Sequence, residues 1–317
     1  MAKNTVHPWA LKNVPDQTGK TFVITGANSG IGLTAAIALA SKNAKLVMAC
    51  RNLQKAETAK QEILQTAPNA SVDIVELNLS DLKSVNQCAE TINANYDQID
   101  CLINNAGLGW IDREETTDGF EMHIGTNHFG HFALTSQLIG LLKKAPNARV
   151  VSIASLAHYW GRIHFNDIQL NQKYGRARGY GQSKLANLMF GLELQRQFDQ
   201  NNVNIKSLIV HPGMSGTNIT NAALEAGNFK QLAKISNAMA PFLSQSPALG
   251  CLPTLQAATA PDVQGGEYFG PKYAFEVFGT PKKARIAKHA KNTVDAAKLW
   301  HLSEELTGVN YQESLAG

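Results

Sequence analysis

The sequence predicts an α/β protein, a doubly wound parallel sheet with helices on both faces in a single domain. Two observations carry that prediction. Apolar runs of strand length alternate with amphipathic stretches of helix length from residue 21 to about residue 211, the rhythm of repeated strand–helix–strand units. The apolar runs also show little polar alternation, as strands do when both of their faces are covered.

The elements follow in order. TFVIT (21–25) is a short β-branched strand. The turn GANSGIG leads from it into LTAAIALASKN, which has helical periodicity. KLVMAC (45–50) is the second strand, and LQKAETAKQEILQTAP is an amphipathic helix stopped by Pro68. SVDIVELNL is a strand, LKSVNQCAETINANY a helix, and IDCLINNAG a strand that ends in a turn. A long helical stretch over 120–143 precedes the strand ARVVSIAS. Another helix follows Tyr180, and the strand VNIKSLIVHPG closes the series. Residues 214–317 break the rhythm with helical segments, the Gly/Pro-rich run GGEYFGPKY and an amphipathic stretch near DAAKLWHLSEEL. The expected organisation is an N-terminal arm over 1–17 and one domain over 18–317. Within it, 214–245 forms a helical lid and 276–317 a C-terminal extension.

Composition narrows the function. The chain has 317 residues, 44% of them hydrophobic, enough for a large core, and a net charge of only +4. Its basic residues are scattered and form no nucleic-acid stripe. Cys50, Cys88, Cys101 and Cys251 lie far apart without CxxC spacing, which points to reduced, mostly buried thiols in a cytoplasmic protein. The first residues are polar and broken by Pro8 and Pro15. No window approaches the ~20 apolar residues of a membrane span. His123, His128 and His131 lack His-x3-His spacing and an acidic partner, so they read as helix-packing or solvent-facing residues rather than metal ligands. Trp160, Phe165, Tyr174 and Phe229 read as core or lid packing ahead of substrate stacking, and the lysines of PKKARIAKHAK as a solvated helix face, with contact to a membrane surface as the alternative.

The chemistry concentrates at three places. Gly26, Gly30 and Gly32 lie between the first strand and first helix, where glycine lets the backbone approach a pyrophosphate and the helix N-terminus offers free N–H groups. At the end of the second strand, where an acidic residue would hold unphosphorylated ribose hydroxyls, the chain has Cys50 and then Arg51. A guanidinium can bind a 2′-phosphate with paired hydrogen bonds, which favours NADP(H). Tyr180 and Lys184 stand one helical turn apart, about 5–6 Å at Cβ. An ammonium near a phenol stabilises the phenolate and readies it for proton transfer.

Together with NNAG (104–107), TNHFGHF (126–132), VVSIAS (150–155), YGQSK (180–184) and HPGMSGT (211–217), these features resemble the short-chain dehydrogenase/reductase family over approximately residues 18–275. CRN, SLAHYWGRIHF and YGQSKLANLMF look most like its retinol-dehydrogenase and protochlorophyllide-reductase-like branch. The resemblance implies a Rossmann-type fold and a role for each matched position. Tyr180 would give or take the proton, Lys184 would lower its pKa and hold the nicotinamide ribose, and Ser155 would bind the substrate oxygen. Asn127 would hold a water that links Lys184 to solvent. Gly26, Asn28, Ser29, Gly30, Ile31, Gly32, Arg51 and Asn52 would face the cofactor, and Asn104, Ala106 and Gly107 would line its adenosine side. Pro212, Gly213 and Thr217 would meet the nicotinamide end. Asn78 and Leu79 replace the family's Asp-Leu beside the adenine, where the asparagine carbonyl can still accept a hydrogen bond.

The expected activity is NADP(H)-dependent interconversion of a carbonyl and an alcohol on a small apolar molecule, with no metal, nucleic acid or membrane span. Whether the chain forms a homo-oligomer is left open. Two alternatives stand beside it. A non-catalytic NADP(H)-binding regulator would not need the intact Asn-Ser-Tyr-Lys set. A light-dependent pigment reductase would need a pigment-specific signature, and the chain carries none we can defend.

Overall fold

The structure is a computed structural model that describes residues 10–214 and 245–316. Its first elements are β1 Thr21–Thr25, α1 Gly30–Ala40, β2 Lys45–Cys50, α2 Leu53–Thr66, β3 Val72–Glu76, α3 Leu82–Asn95 and β4 Cys101–Asn104. Then come α4 Met122–Ile124, a π-helical turn Gly125–Phe129, α5 Gly130–Lys143, β5 Ala148–Ile153, α6 Arg176–Gln200 and β6 Ile205–Val210. Among the described residues, eight strands form one sheet in the order β3-β2-β1-β4-β5-β6-β7-β8, with β7 Tyr268–Tyr273 and β8 Phe278–Lys283 at one edge. The pairs are parallel except β7 with β8.

Both faces of the sheet are covered. Phe22 and Ile24 of β1 pack with Ala36 and Leu39 of α1, whereas Val23 between them packs with Leu102, Leu138 and Leu194 on the other side. Strand side chains alternate between faces, so burying both faces demands the continuous apolar runs seen in the sequence. Each fully buried valine, leucine or isoleucine contributes about 1.5–3 kcal/mol relative to exposure. The chain leaves β1 toward β2 and β3, and leaves β4 in the opposite direction. The strand order therefore reverses between β1 and β4 and opens a crevice at their carboxyl ends. The glycine loop and the NNAG turn both reach that crevice.

The structure departs from several expectations. The strand series does not close at residue 210, because β7 and β8 extend it. The segment 276–317 therefore begins in the turn between two strands. Lys282 of PKKARIAKHAK is half-buried in β8 and Lys283 is exposed there, while Lys288–Lys291 is a single 3-10 turn, so no helix face is present. The stretch 120–143 is interrupted by the π turn. Helix α6 starts at Arg176, held by the ion pair Arg176 Nη2–Asp112 Oδ2 (2.8 Å), which sets Tyr180 inside the helix rather than at its start. Trp160 is half exposed, not core, and its ring nitrogen donates to the Ala177 carbonyl. Phe229, and the expected lid apart from its end residues Met214 and Gln245, lie outside the described residues.

Two later helices, Thr293–Thr307 and Tyr311–Ala316, pack across α5 and α6. Tyr311 is 1% exposed and sits among Phe132, Phe190 and Trp300, with ring centroids 4.7, 6.4 and 4.4 Å away. Its hydroxyl donates to the Phe132 carbonyl at 2.8 Å. All four cysteines are buried, free thiols. Among the described residues no helix is long and apolar enough to cross a membrane.

Candidate active site

The glycine loop turns tightly after β1, with Gly26 at φ +65° and Gly30 at φ +55°. A side chain at Gly32 would strike the Gly26 carbonyl at 2.6 Å and the Asn105 amide at 2.5 Å, so the third glycine is fixed by close packing. Asn52 and Asp81 cap α2 and α3 with their side chains, but Ser29 makes no such bond at the start of α1. The first N–H groups of α1 therefore have no side-chain acceptor, which suits an anion. Ser29 and Gly30 are exposed, while Asn28 and Ile31 are half-buried. Arg51 is exposed after the buried Cys50 and forms no ion pair among the described residues. These residues fit the phosphates of a dinucleotide.

The NNAG turn is bound to that loop by hydrogen bonds. Thr25 Oγ1 accepts the Asn105 and Ala106 N–H groups, both at 2.9 Å. The Asn105 side chain donates to the Thr25 carbonyl at 2.8 Å. Asn104 is placed differently from the expectation. It is buried, and its amide donates to Thr135 Oγ1 of α5 at 2.9 Å, inside the fold rather than on the crevice wall. Asn105, which the motif reading passed over, is the asparagine that packs on the glycines. Asn78 has its carbonyl oxygen engaged by the Ser80 hydroxyl at 2.8 Å, so the bond expected from an adenine would have to compete for it. Leu79 is buried against Gly130.

Ser155, Tyr180, Lys184 and Asn127 come together from β5, α6 and the π turn. Ser155 follows β5 and stands beside Tyr180, where its hydroxyl favours the ionised phenol. Lys184 is 3% exposed, donates to the Ile153 carbonyl at 3.1 Å, and lies 6.0 Å from the Tyr180 ring centroid. A side chain at Gly107 would come within 3.1 Å of Asn127 Oδ1 and 3.3 Å of Lys184 Nζ. A Cβ there would crowd both side chains, so the turn passes close against Asn127 and Lys184. The Asn127 side chain clamps Leu108, accepting from its N–H and donating to its carbonyl, both at 2.9 Å, and also donates to Ser183 Oγ at 2.9 Å. These protein partners engage both ends of the amide expected to hold a water. The Trp110 ring lies with its centroid 6.0 Å from that of Tyr180, tilted by 36° to it. Beyond β6, Gly213 has φ +66° and its N–H faces His211 Nδ1 at 3.3 Å, while the Pro212 carbonyl accepts from Gln245. Thr217 lies outside the described residues.

Electrostatics correct one expectation. Burial pushes the Tyr180 phenol above its ordinary range, and the Ser155 hydrogen bond works against that rise. Burial also pushes Lys184 down to about 8. The ammonium faces the tyrosine ring and the Ile153 carbonyl, and it does not bring the phenol down as the spacing alone suggested.

The histidines pack inside the fold rather than facing solvent, and one point of the reading changes. All three are buried, and His123 does have an acidic partner, with Nδ1 2.7 Å from Glu121 Oε1. His131 Nδ1 lies 2.9 Å from the Asn127 carbonyl, which only accepts, so Nδ1 carries the proton. Its Nε2, 2.9 Å from Thr25 Oγ1, therefore accepts from the hydroxyl. His131 thus connects the glycine loop to Asn127, and burial pushes its pKa down to about 4. His158 supports Ser155 in a similar way, with Nδ1 2.7 Å from the Ser155 carbonyl.

The family model described as short chain dehydrogenase matches residues 20–227. Retinol dehydrogenase 12 of Mus musculus is 38% identical over 296 residues, covering 93% of this chain and 88% of that protein. Retinol dehydrogenase 11 of Homo sapiens is 35% identical over 293 residues, covering 92% and 86%. An uncharacterized protein from Mycobacterium Paratuberculosis, solved by crystallography, superposes with a TM-score of 0.79 at 36% identity, covering 96% of this chain and 99% of that one. With a family match over more than half its length and such relatives across nearly all of it, the chain belongs to the short-chain dehydrogenase/reductase family, in its retinol-dehydrogenase-like branch.

Proposed function

We propose that this oxidoreductase uses NADP(H) to interconvert a carbonyl and an alcohol on a small apolar molecule, with Tyr180 as the acid or base. The observation that carries the reading is the meeting of Ser155, Tyr180 and Lys184 beside the turn that follows β4. The glycine loop and the open start of α1 would hold the pyrophosphate, Arg51 the 2′-phosphate, and Lys184 the nicotinamide ribose. Bound there, the nicotinamide supplies or accepts the hydride. The protein's own share is to fix the substrate oxygen between two hydroxyls and to move one proton. Ser155 donates a hydrogen bond to that oxygen, and Tyr180 transfers its proton as negative charge grows. A phenol raised by burial is protonated near neutral pH, which suits it to donate in the reductive direction. The retinol dehydrogenases among the relatives favour an elongated apolar substrate, and the half-buried Trp110 provides a matching wall.

The test is oxidation of NADPH and NADH by the purified protein with carbonyls ranging from a short ketone to a long polyene aldehyde. NADPH should be consumed fastest, and the long aldehyde should have the lowest KM. Tight NADPH binding without turnover of any carbonyl would reverse the reading in favour of a regulatory protein.

A further inference from the structure

We propose that the tip of the β7–β8 hairpin docks the protein on an anionic lipid surface beside the mouth of the site. The tip carries Tyr273, Phe275 and Phe278, exposed by 52, 96 and 45%. Phe275 does not sit on a loose loop. Ala274, Phe275 and Glu276 take φ values of +46°, +55° and +70°, a left-handed run that L side chains rarely adopt. The turn is anchored through the Glu276 carboxylate, which is buried. One oxygen accepts the Arg285 N–H at 3.0 Å, and the other lies 3.4 Å from His211 Nε2. The fold therefore spends backbone strain and a buried acid on a turn whose middle residue holds an aromatic ring in water.

Charge around the tip selects the partner. The hairpin and the turn after it, residues 270–291, hold six basic residues and one acidic residue, against 29 and 25 in the whole chain; Lys272 stands next to the tip, whereas Lys283 lies opposite Phe269 at the hairpin's other end. Lys272, Lys283 and Arg285 are exposed, Lys272 lies 5.6 Å over the Tyr273 ring, and Lys283 is shared with Glu267. Aromatic rings flanked by lysine and arginine suit the boundary between headgroups and acyl chains of an anionic bilayer. The placement is also apt. The Met214 N–H donates to the Val277 carbonyl at 2.9 Å, and Gln245 Oε1 accepts the Gly279 N–H at 3.0 Å, so the hairpin is bound to the chain just after Pro212 and Gly213. If the proposed function holds, an apolar substrate leaving the bilayer would emerge next to the site.

The test is cosedimentation with phosphatidylcholine vesicles, with and without about 30 mol% phosphatidylserine. The protein should bind the anionic vesicles, bind the neutral ones far more weakly, and be released by salt. Phe275→Asn removes the ring while suiting the left-handed backbone, so melting should be unchanged and affinity should fall at least about ten-fold. Reversing Lys272 and Arg285 together to glutamate should weaken binding further, by about five-fold or more for each charge. The proposal is overturned if wild type ignores anionic vesicles or if Phe275→Asn binds them as wild type does. A dimer lost in Phe275→Asn without vesicle binding would likewise overturn it, with a second copy as the partner. Vesicle binding needs no turnover, so this result and the catalytic reading can fail independently.

Discussion

In the proposed reaction Tyr180 is the proton donor, kept protonated by burial, and its substitution separates chemistry from folding. Tyr180→Phe keeps the ring and removes the hydroxyl. Thermal melting and NADPH affinity should survive, while turnover on an identified carbonyl falls by roughly 10²–10⁴-fold. Lys184, pushed down to about 8, is cationic below that pH and neutral above it. Reductive kcat/KM should therefore decline above about pH 8, and Lys184→Met should lose that limb along with most of the rate. Arg51 should be read by cofactor rather than by rate. Arg51→Ala should weaken NADPH by about 1.5–3 kcal/mol and leave NADH nearly unchanged in a titration of cofactor fluorescence. Equal losses for both would remove Arg51 from the phosphate. At this scale the sequence was legible where residues form contiguous motifs, as with Ser155, Tyr180 and Lys184. It was silent on Thr25 and His131, whose bond spans 106 positions. A threonine ending a strand and a histidine within a helix carry no local sign of such a partner.

The element that most shapes the site is the π turn before α5. Its wider winding interrupts the regular ladder around Asn127, and the ring of His131 takes up the Asn127 carbonyl. His131→Phe fills similar space but leaves that carbonyl and the Thr25 hydroxyl without their partner. A loss of about 2–4 kcal/mol in urea unfolding is expected, from one or two unsatisfied buried groups. A loss below 0.5 kcal/mol would show that water replaces the ring. The turn was not legible because a helical periodicity of 3.6 tolerates one inserted residue over 24 positions. Strands β7 and β8 were missed for another reason. Gly270, Pro271, Gly279 and Pro281 punctuate them as they would a loop. Only two residue pairs, Ile209↔Tyr268 and Val210↔Phe269, join β7 to β6. Proline is tolerated there because the hairpin lies at the edge of the sheet. The central strands β1, β2, β4 and β5 have no such interruptions, and their apolar runs announced them.

Across the whole molecule, buried neutral histidines set the response to acid. Burial pushes His128 down to about 3, and His131 and His158 to about 4. Each lies below the ordinary value of 6.5, so the unfolded chain binds more protons between those values. Their contribution is present above pH 6.5 and is lost as pH falls toward 4. Urea unfolding at stepped pH should show stability level above neutrality and declining by a few kcal/mol in total, roughly, over that window. A flat profile would mean that these rings are solvated. The same histidines join distant parts of the chain, since His128 Nε2 donates to Ser303 Oγ at 2.9 Å and so fastens the helix Thr293–Thr307 to the π turn.

That fastening has a consequence for how the protein is made. The aromatic gap between α5 and α6 is filled by Trp300 and Tyr311, which leave the ribosome after every strand of the sheet has been synthesised. Until they emerge, Phe132 and Phe190 face water, and the turn that bears Asn127 lacks its outer support. Before those two helices emerge, the nascent chain is therefore a sticky body whose site lacks its outer support. A chain cut after Asn292 should bind a hydrophobic dye and self-associate, and a peptide of residues 293–316 added in trans should reverse both. Dye binding equal to that of the full-length protein would show that the sheet and α5 mature without their tail.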